Sequence, residues 1–172
     1  MKRTFPQQTI TTTNTPQPLF STTLTASIPG SSSPQSIAVT SSVGFKVRDR
    51  INLSSGTVRS EDVEILAIAD STHITAVALK PHTNGDFVSL YFPLSNLYVQ
   101  TVSGNSGSLF VGNSPLMTAA LWLIAELTKV TAGSQPTDFY DAQIFGANPG
   151  SLIEYWVYGT STDKYTVSLS YC

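Results

Sequence analysis

The stretch EDVEILAIADSTHITAVALKPHTNGDFVSL, Glu61 to Leu90, holds three apolar runs separated only by turn-forming residues. In the first, Val63, Ile65, Ala67 and Ala69 alternate with Glu64, Leu66, Ile68 and Asp70, the period of a half-buried strand. Asp70-Ser71-Thr72 interrupts it, and Ile74 to Lys80 resumes with the β-branched Ile74, Thr75 and Val77. Pro81 has no amide hydrogen and Gly85 accepts positive φ, so Lys80 to Gly85 reads as a turn before a third strand at Phe87. The stretch predicts a compact antiparallel β-meander, and with it an all-β fold.

Upstream, Ile37 to Val43 reads as the first strand and Gly44 as a bend. If Lys46, Arg48 and Arg50 face water, Phe45, Val47 and Ile51 face inward, and Asn52 to Gly56 is a loop. The order of four elements here resembles small β domains that recur in structural proteins of tailed bacteriophages. They are Phe45-Lys46-Val47-Arg48-Asp49-Arg50-Ile51, an E-x-V-x-I-x-A-I strand from Glu61, an I-T-x-x-x-L strand from Ile74, and His82-x-x-Gly85. In those domains a glycine usually precedes the aspartate of the first element, where this chain has Arg48. A second segment, Ser108-Leu109-Phe110-Val111-Gly112-Asn113, resembles the opening strand of another small phage-virion domain. Glu154 to Thr160 and Asp163-Lys164-Tyr165 resemble that domain's closing part.

Met1 to Gln35 is rich in Thr, Ser and Gln and carries Pro6, Pro16, Pro18, Pro29 and Pro34, a composition that favours extended chain. Its apolar residues are too sparse to close a core of their own. A disordered tail and an extended arm lying on a neighbouring subunit both fit, and the arm would use Leu19, Phe20 and Leu24 as anchors. The six small polar residues Ser103 to Ser108 read as a boundary. The expected organisation is an arm over 1–35, a first β domain over 36–102 and a second over 103–172, each domain a small barrel or sandwich. Met117 to Val130 has the composition and length of a helix, yet its apolar residues cover every face and the resemblance puts strands there. The strand reading is adopted. Asn148-Pro149-Gly150 reads as a turn, Leu152 to Tyr158 as a strand, and Tyr165, Val167, Leu169 and Tyr171 as the buried face of a last one.

Only 12% of residues are charged, against about 25% in an ordinary domain, and neutral hydroxyls and amides supply the polarity instead. Such groups are cheaper to desolvate than ions, which suits a surface buried in an assembly. A net charge of −2 provides no basic field for nucleic acid. The one cysteine, Cys172, has no intrachain partner for a disulfide. No apolar run approaches the roughly 20 residues that span a bilayer, and no hydrophobic core of a signal peptide follows Met1-Lys2-Arg3. The expectation is synthesis in a host cytoplasm, with no nucleic-acid or membrane partner.

For chemistry, His73 and His82 are the only imidazoles, and neither lies in a nucleophile motif. His82 is expected to bond across its own turn to the Gly85 side. Glu61, Asp62 and Glu64, or Asp138 and Asp141, could pair for glycoside hydrolysis, but an exposed acidic face is the simpler reading. Zinc spacings, calcium loops and phosphate loops are absent from the sequence, so no catalytic, cofactor or metal residues are assigned. In Tyr155-Trp156-Val157-Tyr158, Trp156 and Tyr158 share a face that could pack internally, form a subunit interface or make a carbohydrate platform. Together with the resemblance, these features imply a non-enzymatic phage virion subunit that contacts other virion proteins and its own copies, foremost an accessory head protein decorating the capsid. A neck, tail or fibre-base subunit, or a receptor- or glycan-binding module, are the alternatives, and a glycan hydrolase is the least fitting.

Overall fold

The computed structural model describes residues 3–4, 7–93, 96–112, 128–131, 138–140 and 152–171, and among them it is all β-strand and turn. The chain forms two compact units, one of residues Pro18–Tyr91 and one of Met1–Gln17 with Phe92–Cys172.

The Pro18–Tyr91 unit contains two antiparallel sheets. One has the strand order Ser21–Thr23, Phe87–Leu90, Arg50–Leu53, Glu61–Glu64, and the other has Gln35–Ala38, His73–Ala76, Ala67–Asp70. The single strand expected from Val63 to Ala69 is therefore two strands in different sheets. At the junction Ile65 donates its N–H to Asp49 O (3.0 Å) and accepts from Arg48 N (2.8 Å), while Leu66 donates to Thr75 O (2.8 Å). The hairpin between Ala67–Asp70 and His73–Ala76 is present, with an irregularity between Ile68 and Asp70. The third strand does not extend it into a meander, because Phe87–Leu90 pairs with Arg50–Leu53 and Ser21–Thr23 in the other sheet. Residues 43–48 form two turns rather than a strand, so Val47 is half exposed while Ile51 is fully buried.

The boundary expected at residue 35 also moves. Leu19, Phe20, Leu24 and Ile28 are buried in the same unit as Ile37, Ile51, Ile74 and Val88. Backbone bonds hold the segment there: Leu24 N to Asp86 O at 2.9 Å, Gly85 N to Leu24 O at 2.9 Å, and a reciprocal pair between Ile28 and His82 at 3.0 Å.

In the other unit the strand Lys164–Tyr171 pairs along one edge with Asn96–Thr101, and along its other edge with both Arg3–Thr4 and Gln8–Thr11. Asn96–Thr101 thus belongs with the C-terminal half, and the expected boundary segment Ser103 to Ser108 lies inside this unit, turning at Ser103 and Gly104 and entering the next strand at Ser108. Tyr165 and Val167 are fully buried and Thr166 and Ser168 half-buried, as the alternation requires. Ser108–Gly112 lies between Thr128–Thr131 and Trp156–Gly159. The strand expected from Leu152 to Tyr158 is divided, since Leu152–Ile153 pairs with Phe92–Pro93 instead. Of the Met117 to Val130 segment only Thr128 to Val130 is among the described residues, and it is strand. The Asn148-Pro149-Gly150 turn and Asp141 lie outside them.

The Ser103 to Ser108 turn is fixed by Asp163. Its carboxylate accepts from the backbone N–H of Gly107 (2.7 Å) and of Ser106 (3.1 Å). Thr12, itself buried, donates its hydroxyl to Thr160 O (2.5 Å) from the neighbouring edge segment.

Candidate functional site

Among the described residues the strongest concentration of polar chemistry is a group in the Pro18–Tyr91 unit, the buried Ser54 and His82 with the partly buried Arg59, Glu61 and Asp86. Strand register assembles it. Leu53 is opposite both Val88 and Glu61, and Ser54 N bonds to Phe87 O at 2.9 Å, so Ser54 sits between the Asp86 end of one neighbouring strand and the Glu61 end of the other. Ser54 has φ 56, the left-handed region that favours glycine, and this turns the chain sharply out of the sheet. The turn after Pro81 then brings His82 over Ser54.

Three contacts run in series. His82 Nε2 lies 2.6 Å from Glu61 Oε1, His82 Nδ1 lies 2.5 Å from Ser54 Oγ, and Ser54 Oγ bonds to Asp86 Oδ2. Arg59 Nη2 reaches both oxygens of Asp86 at 3.0 Å, and Thr83 N donates to Asp86 Oδ2 at 3.0 Å. Glu61 also accepts from the backbone N–H of Leu79 (3.1 Å) and Lys80 (3.0 Å). Burial raises the Glu61 carboxyl, but the bonds from His82, Lys80 and Leu79 outweigh it and hold its pKa below the ordinary value. Burial likewise raises Asp86, and Ser54, Thr83 and Arg59 together bring it below.

The sequence of groups is serine, imidazole, carboxylate, the order of a nucleophile and its base. Its setting differs. Ser54 has no exposed surface, the His82 side chain has none either, and the Ser54 hydroxyl is already engaged by a second carboxylate. Both ring nitrogens have partners inside the protein. The arrangement is that of a brace, joining the ends of two strands to the Lys80–Asp86 turn.

His82 thus bonds to Ser54 and Glu61 rather than across its own turn, which is closed by Asp86 N to Thr83 O at 3.0 Å. Glu61 leaves the expected acidic face to join the brace, whereas Asp62 and Glu64 are exposed. Asp62 accepts from Asn52 Nδ2 (2.8 Å) and from the Tyr91 hydroxyl (2.9 Å). Ser54, Arg59 and Asp86 carried no signal in the sequence: serines are abundant, and the five members are brought together only by register and a turn.

The residues expected at an interface lie inward. Leu19 and Leu24 are 1% exposed, Phe20 is 4% and Trp156 2%. Tyr158 is half-buried and stacks on Phe110, the ring centres 4.8 Å apart and the planes 12° from parallel. Comparison with known proteins finds no family model, no curated protein and no solved structure that matches this chain.

Proposed function

We propose that this protein is a non-enzymatic structural subunit of a bacteriophage particle, foremost an accessory protein that decorates the capsid. The observation that carries the reading is at Arg48. The phage domains that this stretch resembles usually place glycine there, and Arg48 has φ 71, a conformation glycine adopts without strain. Its N–H bonds to Ile65 O at the point where the chain crosses between sheets. The second resemblance has a matching feature, because its opening strand Ser108–Gly112 and its closing strand Trp156–Gly159 are direct neighbours.

The surface supports the same reading. Val58 is 99% exposed and Val43 and Leu79 are each 67%, on a chain of which only 12% of residues are charged. Apolar side chains on a weakly charged surface gain by being covered in an assembly. The test is sedimentation of purified protein with phage particles lacking their accessory proteins. Saturable binding at a fixed copy number per capsid supports the decoration role, and binding to tails alone supports the neck or tail alternative. Failure to bind any particle, combined with specific retention on a glycan array, overturns the proposal in favour of a recognition module.

A further inference from the structure

The series Glu61–His82–Ser54–Asp86 contains one more proton than its ordinary ionisation states supply. Each of the three contacts needs one hydrogen between its heavy atoms. The serine hydroxyl brings one and a neutral imidazole brings one. With both carboxylates ionised the third is missing, and two acceptors would face each other at hydrogen-bond distance inside the protein. The third proton therefore resides on the ring or on a carboxyl group.

The surroundings decide between them. Asp86 receives Arg59 Nη2 and Thr83 N, and Glu61 receives Leu79 N and Lys80 N, so each carboxylate is ringed by donors that favour its ionised form. We propose that His82 is held as an imidazolium, and that its second proton is the latch that fastens the Pro81–Asp86 turn, and through it the Leu24–Ile28 segment, to the sheet. The charges then balance: Glu61 and Asp86 negative, His82 and Arg59 positive. Among the described residues these are the charged groups bonded within the series. Lys80, on the turn itself, directs its ammonium to Ser60 O rather than to the ring.

Removing the second proton leaves one of the three contacts acceptor against acceptor, beside a ring and a serine that have no exposed side-chain surface. The strands bearing Ser54 and Glu61 are fixed by their ladders, so the turn is the part that can move. Its backbone holds the Leu24–Ile28 segment through His82, Gly85 and Asp86, and Asn84 N adds a bond to Ser27 Oγ at 3.0 Å.

The experiment uses the full chain, labelled with nitrogen-15. Ring nitrogen shifts of His82, assigned by loss of the signals in His82→Gln, report directly whether one or both nitrogens carry a proton. Both are expected to be protonated at neutral pH. As pH rises and the second proton leaves, exchange at the amides of Leu24, Ile28 and Gly85 should accelerate roughly tenfold or more after correction for base catalysis, while that of Ile74 should not. Glu61→Gln, whose amide can donate to Nε2 and so supply the third hydrogen, should leave the ring with a single proton at neutral pH and remove the dependence of those amides on the second proton. A singly protonated His82 in the folded wild-type protein at neutral pH overturns the proposal. So does undiminished protection of Leu24, Ile28 and Gly85 once the second proton has gone. Both readings come from the wild-type chain, so a variant that fails to fold leaves the test intact.

Discussion

At the scale of single residues, the tightest constraints are hydroxyls and glycines rather than large apolar groups. Ser54 joins two ionic groups through one oxygen, so Ser54→Ala strands the ring on one side and a carboxylate on the other. A loss of about 1–3 kcal/mol is expected, read by denaturant unfolding of the purified variant. Gly107 is constrained by space, since a Cβ there would stand 1.6 Å from Thr160 Oγ1 and 2.5 Å from its Cβ. Gly107→Ala should therefore cost about 1–3 kcal/mol through displacement of the Thr160 turn, and equal thermal stability of the variant would refute the packing described. Gly85, read in the sequence as a positive-φ turn residue, has φ 89. The same conformation at Ser54 and Arg48 could not be read, because those residue types adopt it only when surrounding structure compels them.

At the scale of elements, alternation identified the strands but not their sheets. Ile65 and Leu66 continue the pattern of Val63 without a break, and the crossing between sheets is imposed by bonds to Asp49, Arg48 and Thr75, all distant in sequence. The brace was illegible for the same reason, its members at 54, 59, 61, 82 and 86 being gathered by register rather than by spacing. The crossing also makes Arg48 a point of strain. Arg48→Gly removes a left-handed penalty of about 1–2 kcal/mol and adds up to about 1 kcal/mol of unfolded-state entropy, so a net gain of about 0.5–1 kcal/mol is expected. A lower melting temperature for Arg48→Gly would show that the guanidinium contributes more than the backbone loses.

For the molecule as a whole, the largest revision concerns residues 18–28. The sparse apolar residues there are too few for a core of their own, and they complete a core whose other walls lie between 37 and 90. Removing residues 1–35 takes away Leu19, Phe20, Leu24 and Ile28, at about 1.5–3 kcal/mol each. The sum is comparable to a whole domain's stability of about 5–15 kcal/mol, so the truncated chain should lose cooperative unfolding, as followed by circular dichroism during heating. Acid should act on the same unit. Glu61 and Asp86 have folded pKa values below their ordinary ones, so their stabilisation is present above the ordinary carboxylate range and is lost as pH falls through the folded values. Asp70, lowered to about 2 chiefly by the Thr72 N–H and then by His73, contributes with the same sign at the most acidic end. The melting temperature should fall steeply on acidification, and less steeply in Asp86→Asn. The unit Pro18–Tyr91 is continuous in sequence, whereas its companion is not. Among the described residues Arg3–Thr4 and Gln8–Thr11 pair with Lys164–Tyr171, so at ribosomal speeds of about 5–20 residues per second they wait roughly 8–30 seconds for that partner strand. Throughout that interval the nascent chain carries a threonine-rich strand whose partner has not yet been made, and the window for trapping by a chaperone or a neighbouring chain is set by translation rate.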